Sequence, residues 1–288
     1  MKFPPFGYLR PTGLPEACEM LAEEGARPLG GGQSLLPLMA LRLARPRTLV
    51  DLGALEELVG TSRSVSAGEE VLEIGAMTTL SAVEHDRTAC SAVPLLSRIV
   101  RFIGHPAIRH RGTLGGSIAH ADPAAELPAA CIALDASASI ASRRGSRSER
   151  VEALVTGPYQ TSLREDELVT GLCFPVRPGR RTGVWEVAPR PGDFALAGAI
   201  CVVYPEHSGP AGAAVTFFGV QAKPSRVTLD VEGAAGEGGG RYFQDLADGL
   251  EDVLEDGHAD DRFRRRLAAV AARRAFAAAR GCPPEVGA

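Results

Sequence analysis

The chain has 288 residues, 31 of them Lys or Arg against 35 Asp or Glu, for a formal charge of -4, so no basic excess marks it as a nucleic-acid binder. No apolar stretch reaches transmembrane length, and the N-terminus lacks a basic segment followed by an apolar run, so the expectation is a soluble, cytoplasmic protein with no membrane span. Cys18, Cys90, Cys131, Cys173, Cys201 and Cys282 lie far apart with no C-x-x-C, which indicates neither an iron–sulfur cluster nor a structural zinc, and reads as mostly buried thiols.

In chain order, Leu14, Ala17, Cys18, Leu21 and Ala22 recur at helical spacing and predict an amphipathic helix over about 14–24 that stops at Gly25. Arg27 to Gly30 reads as a short strand delivering the run Gly30-Gly31-Gly32-Gln33-Ser34-Leu35. Ser34 is a good N-cap, and Pro37 falls in the first turn of an apolar helix ending near Arg42. Free N–H groups at such a start suit a phosphate. Arg42, Arg45 and Arg47 are either anion contacts or a solvated basic face. Thr48 to Leu52 is a further strand, and a small α+β unit closes at about residue 55.

A second unit, 56–176, opens with strand signals at Val71 to Ile74 and helices at Leu80 to His85 and Val93 to Ile103. His105, Arg109, His110 and Arg111 then precede Thr113-Leu114-Gly115-Gly116-Ser117, a second turn where amides can converge on one bound group with no Cβ in the way. These four cationic residues are either pyrophosphate contacts or surface charges. His120, Asp122 and Glu126 follow within reach of sugar or ribityl hydroxyls. Pro123 to Leu134 predicts a helix, and Glu167 to Phe174 an alternating strand ending at Pro175.

Composition shifts after Val176, opening a third unit, 177–288. Strands are expected near Ala199 to Tyr204 and Ala213 to Val220. Gly233 to Gly240 reads as a flexible linker, and Asp261 to Arg280 as a helix with Phe263, Leu267, Val270 and Ala271 on its apolar side. Neither glycine turn has the Gly-Lys-Ser/Thr ending of a P-loop or a Gly-x-Gly-x-x-Gly fingerprint, which disfavours ATP hydrolysis and a Rossmann domain. Two diphosphate-sized cradles in one chain instead fit a dinucleotide held between two units.

The strings GGGQSLLPLMALRLARPRTLVDL (from Gly30) and IGHPAIRHRGTLGGSIAHADPAAELP (from Ile103) resemble the two FAD-binding motifs of the medium subunits of the xanthine dehydrogenase and carbon monoxide dehydrogenase family. PFGYLRPTGLPEACEMLAEEG, EVAPRPGDFALAGA and DDRFRRRLAAVAARRAF extend the likeness over nearly the whole chain. The resemblance implies an α+β, vanillyl-alcohol-oxidase (PCMH)-type FAD-binding fold of two subdomains, plus a C-terminal three-stranded sheet with helices. It also implies that the backbone of Gly30 to Ser34 and of Thr113 to Ser117 holds the diphosphate, with Gln33 and Ser34 adding side-chain contacts and Leu35 adjoining them. On this reading, a Cβ at Gly31, Gly32, Gly115 or Gly116 demands a forbidden φ or strikes the phosphate. His120, Asp122 and Glu126 become ribityl and ring neighbours. Ile103 and Val169 line the adenine or flavin edge or are plain core, and Phe194 covers a ring face with Glu186, Arg190 and Asp193 beside it.

Departures from the family pattern are Gly30 for the usual alanine, Ser117 for a common asparagine, and Glu186 where some relatives have lysine. The implied function is electron transfer within a complex. A molybdopterin-binding large subunit would oxidise the substrate, a small subunit with two [2Fe-2S] clusters would carry electrons, and FAD here would pass them to an external acceptor, NAD, quinone or oxygen. No catalytic residue or metal ligand is expected in the chain itself. The alternatives are a self-contained flavin oxidoreductase with its own small substrate, and a cofactor-free scaffold.

Overall fold

The structure is a computed structural model that describes residues 3–204 and 212–281. Cys282 therefore lies outside the described residues. The first sheet is parallel and three-stranded, and its strands and helices alternate as β1 (Gly7–Leu9), α1 (Leu14–Leu21), β2 (Ala26–Leu29), α2 (Leu35–Ala40) and β3 (Thr48–Asp51), with β3 in the middle. α1 turns Ala17, Cys18 and Leu21 inward, with Pro15 in its first turn. α2 stops at Ala40, two residues short of the expected end, because Arg42 takes a left-handed φ of 66° and the Leu43 N–H caps the Leu38 carbonyl at 2.9 Å. The core under this sheet includes Ala141 and Leu168 from the next unit, so the two lobes share apolar surface.

The second unit runs β4 (Thr61–Ser66), β5 (Glu69–Gly75), α3 (Leu80–His85), α4 (Arg87–Ala92), α5 (Pro94–Ile99), α6 (Pro106–Arg109), α7 (Leu114–His120), α8 (Glu126–Ala133), β6 (Ser137–Ser142), β7 (Gly145–Arg150), α9 (Val151–Leu154), β8 (Val155–Gly157), β9 (Gln160–Thr161) and β10 (Leu168–Pro175). Its antiparallel sheet has the order β4-β5-β10-β6-β7, with β8 and β9 as a separate ribbon. The single helix expected over Val93 to Ile103 ends at Ile99, and α4 precedes it, started by the Asp86 carboxylate on the Ala89 N–H. α8 begins three residues later than expected, because Asp122 Oδ1 accepts from the Ala124 N–H and its carbonyl from Ala125, making a turn of those residues. Every residue of α8 is buried, and all but Glu126 are apolar.

The C-terminal sheet has four strands rather than three: β11 (Arg181–Val187), β12 (Ala197–Val203), β13 (Ala213–Phe218) and β14 (Ser225–Leu229), antiparallel in that order. Its outer strands carry arginines and small polar residues, unlike the near-continuous apolar runs of the inner two. Residues 233–240 are not a linker: α10 (Val231–Ala235) and the start of α11 (Gly239–Asp248) occupy them, the former capped by the Asp230 carboxylate. In α12 (Asp261–Ala279), Phe263 and Val270 face outward, while Ala268, Ala271, Ala272, Ala275 and Phe276 pack on the sheet. The small side chains let this helix lie close: a Cβ at Gly183 on β11 would overlap the Ala275 carbonyl. The other face of the sheet presents Ile200, Val202 and Phe218 to the core of the second unit, with α8 between them.

Of the cysteines, Cys18, Cys131 and Cys201 are buried, whereas Cys90 and Cys173 are half-buried. No described helix is long and apolar enough to cross a membrane.

Candidate functional site

The first glycine run leaves the carboxyl end of β2 in a parallel sheet, the usual position for a ligand loop in such sheets. Gly32 has φ +73°, which an L side chain adopts only with strain, and the Gln33 side-chain amide donates to the Gly31 carbonyl at 3.2 Å, bracing the turn from inside. Among the described residues, the backbone N–H groups of Gly31 to Leu35 have no acceptor in the protein. Ser34 is exposed and makes no side-chain cap, so the start of α2 is left with its donors free.

The second run is built differently. Leu114 N–H donates to the Thr78 carbonyl at 3.0 Å, Gly115 to Ala76 at 2.9 Å and Ser117 to Thr113 at 3.1 Å. Gly116 has only the Thr113 hydroxyl, at 3.3 Å. Most of its amides are thus spent on docking α7 against the end of β5, where buried Thr78 also bonds the Gly60 backbone.

The two runs meet. A Cβ on Gly31 would overlap the Arg111 carbonyl, one on Gly30 would lie 2.9 Å from the Thr113 hydroxyl, and one on Gly115 2.5 Å from the Ala76 methyl. For Gly31 and Gly115, then, the obstacle to a side chain is the protein's own backbone and core, in addition to anything bound. Arg109 is not a free cation: it donates to the Ile103 and Gly104 carbonyls at 3.2 and 3.0 Å and to Glu84 at 3.1 Å, half-buried.

Beyond α7, Ala121 takes a left-handed φ of 50° and turns the chain into the acidic segment. Asp122 and Glu126 are both buried. Burial pushes the Glu126 carboxyl up to about 8, helped by the nearby Glu186. Glu186 on β11 is itself raised to about 7 by burial, and its Oε2 is buried without a hydrogen-bond partner. The C-terminal sheet reaches this pair because Gly198 faces Glu186 across the ladder and Gly219 N–H donates to the Pro123 carbonyl at 2.8 Å.

His120 is held below the ordinary histidine value by burial, against the opposing pull of Asp122. Its ring lies 5.1 Å from Tyr159, whose hydroxyl reaches Asp122 at 3.4 Å. Tyr159 is a neighbour the sequence reading missed. Its signal is the G-P-Y-Q turn between β8 and β9, where Tyr159 holds a φ of 56°. The remaining candidates lie less centrally. Val169 is core at 5% exposure, Ile103 packs against the same core, and Phe194 is 70% exposed. Arg190 and Asp193 pair with each other at 3.6 Å, and Gly192 at φ +84° seats their loop against Gly104 and His105.

Two α+β lobes touch through glycine runs, one with open amides, and a third sheet meets a buried acidic pair, an arrangement that suits an elongated phosphate-bearing ligand. Residues 4–177 match the family described as "FAD binding domain in molybdopterin dehydrogenase", and the chain belongs to that family as an FAD-binding subunit of molybdenum hydroxylase complexes. It is 37% identical over 228 residues to the nicotine 6-hydroxylase medium subunit of Paenarthrobacter nicotinovorans, covering 79% of each chain. It is 36% identical to the carbon monoxide dehydrogenase medium chain of Afipia carboxidovorans over 201 residues, 69% of this chain and 68% of the other. Among solved structures, a chain of quinoline 2-oxidoreductase from Pseudomonas putida 86 superposes with a TM-score of 0.88 at 34% identity, covering 98% of this chain and 99% of that one. A chain of the Cu,Mo-CO dehydrogenase gives 0.89 at 29% identity with the same coverage.

Proposed function

We propose that the chain relays electrons: bound FAD accepts them from [2Fe-2S] clusters of a small partner subunit and delivers them to an external acceptor, NAD, quinone or oxygen. Substrate oxidation then belongs to a molybdopterin-binding large subunit. The observation that carries this reading is the set of unpaired amides from Gly31 to Leu35, laid against Arg111 to Thr113 of the other lobe. An open row of N–H donors at a helix start fits a diphosphate, and the two lobes, 1–55 and 56–176, would hold it between them.

In this assignment Gly30 to Leu35 supply most of the backbone donors, and the second run adds Thr113, Gly116 and Ser117, whose hydroxyls and one weakly engaged amide remain available. Leu114 and Gly115 dock α7 within the second lobe, and Gly30 and Gly31 set the approach of the lobes. His120, Asp122 and Tyr159 face the ribityl side. FAD supplies two-electron and one-electron redox chemistry, which no side chain provides. Glu126 and Glu186 keep a proton near neutral pH in a buried place, so the cleft accepts a neutral or electron-rich ring there without two uncompensated carboxylates.

The test is optical and stoichiometric. Purified chain should show flavin absorption and take up one FAD per chain after the cofactor is stripped. A protein that stays colourless after incubation with FAD overturns the reading. Steady-state turnover of a small reductant by the isolated chain would move the assignment to a self-contained flavin oxidoreductase.

A further inference from the structure

At the far end of α8 from Glu126, the loop between β10 and β11 and the end of α12 enclose a groove of about 390 Å³. Leu134, in its wall, lies eight residues past Glu126, about 12 Å along the helix axis, so the groove is separate from the acidic pocket. Its size falls in the lower part of the roughly 300–1,000 Å³ range of small-molecule sites. Among the described residues, Arg98, Arg177, Arg180, Arg181 and Arg280 line it and no acidic residue does, in a chain whose net charge is -4. Ala92, Pro94 and Ala278 give it an apolar floor, with Val93, Leu95 and Leu134 buried beneath. A second hollow, of about 270 Å³, is the contrast: it mixes Arg27, Arg143 and Arg144 with Glu23, Glu24, Glu165 and Asp166, and Arg144 there pairs with Asp166.

The arginine heads in the groove are aimed without being neutralised. Arg98 donates to the Pro94 carbonyl at 3.4 Å and to the Thr182 hydroxyl, and Arg180 to the Leu134 and Pro175 carbonyls at 3.4 and 3.2 Å. Neutral oxygens fix a guanidinium's direction but bring no countercharge. Among the described residues, only Arg177 of the five has a carboxylate within 4 Å, Glu69 at 3.9 Å, and Arg280 lies over the Phe276 ring instead. Loss of solvent pushes Arg98 and Arg180 below the ordinary arginine value, though the Arg98 head still reaches water at the groove mouth. Partly desolvated cations bonded only to neutral oxygens are unfavourable, and planar guanidinium forks are the groups that match phosphate oxygens in pairs.

We propose that this groove binds a nucleoside di- or triphosphate at a site separate from the flavin, with the arginines on the phosphates and the apolar floor under the base or sugar. The experiment uses full-length chain saturated with FAD, so the glycine runs are filled, and titrates it with ADP and with inorganic pyrophosphate by calorimetry at low salt. Both should bind saturably at one per chain, ADP more tightly, and both more weakly as salt is raised. The double variant Arg177→Gln/Arg181→Gln alters two exposed side chains that make no hydrogen bond in the fold, and should weaken both ligands at least tenfold with an unchanged circular dichroism spectrum. Arg143→Gln, in the mixed-charge hollow, should leave binding unaltered.

Absence of saturable binding, or binding that the double variant changes by less than twofold, overturns the proposal. Equal affinity for ADP and pyrophosphate overturns the nucleoside part of it. Release of flavin in step with ADP uptake, followed by absorbance, overturns the second site. Flavin content is measured separately, so failure of the electron-relay reading and failure of this one are distinguishable.

Discussion

The two glycine runs look alike in sequence and do different work in the fold. Gly30 to Ser34 follows a parallel strand, stays half-exposed and keeps its amides free. Thr113 to Ser117 is pressed onto the end of β5 and gives most of its amides to Ala76, Thr78 and its own helix. A run of glycines therefore signals close approach of backbone, and what it leaves for a ligand is decided by which donors remain: those of the first run are free, most of those of the second are taken by the protein itself.

Substitution of the glycines breaks the comparison most severely. Gly115→Ala places a methyl against Ala76 and its backbone, and should destabilise the flavin-free protein by about 3 kcal/mol, the cost of overpacking a rigid core. Gly32→Ala strains a left-handed residue by about 1–2 kcal/mol and crowds only the end of Leu36, so it should lower Tm less while weakening FAD at least tenfold. Denaturation of apo protein together with FAD titration checks both. Equal loss of stability in the two variants would mean the runs share one structural role.

The acids downstream of the second run sharpen the picture through pH. Folded protein holds the Glu126 proton up to about pH 8, whereas the unfolded chain releases it near 4.3. The folded state thus binds the extra proton between those values, so stability is full below the window and falls as pH rises through it, by at most about 1.4 kcal/mol per pH unit for one proton. Glu126→Gln should flatten the decline of Tm between pH 5 and 8.5, with Glu186 accounting for what slope is left. An unchanged slope would mean that the pair is not sealed from water.

The smallest effects come from hydroxyls. Thr113→Val removes the N-cap of α7 from a buried position and should cost about 1 kcal/mol of stability. Ser34→Ala, at an exposed residue with no cap bond, should leave stability within about 0.5 kcal/mol of wild type and act only on FAD affinity. Chemical denaturation resolves the first, and flavin titration the second.

Much of the fold was legible in the chain itself. Spacing alone located α1, α3 and the inner strands of the C-terminal sheet, because apolar periodicity is a local property of neighbouring residues. The glycine strings and the acids after them carried the family. The sequence by itself determined which residues have no side chain to obstruct an approach and which carboxyls exist to be buried. Only the tertiary structure decided that the second run's amides are occupied, that Arg109 is tied to carbonyls, that Arg264 is buried in α12 with its head on the Leu196 and Gly219 carbonyls, and that Glu186 from a distant strand closes on Glu126. The reason is physical. Whether a donor is free or a charge is desolvated depends on what packs against it, and apart from the carbonyls on Arg109 those partners come from residues 25 to more than 60 positions away in the chain.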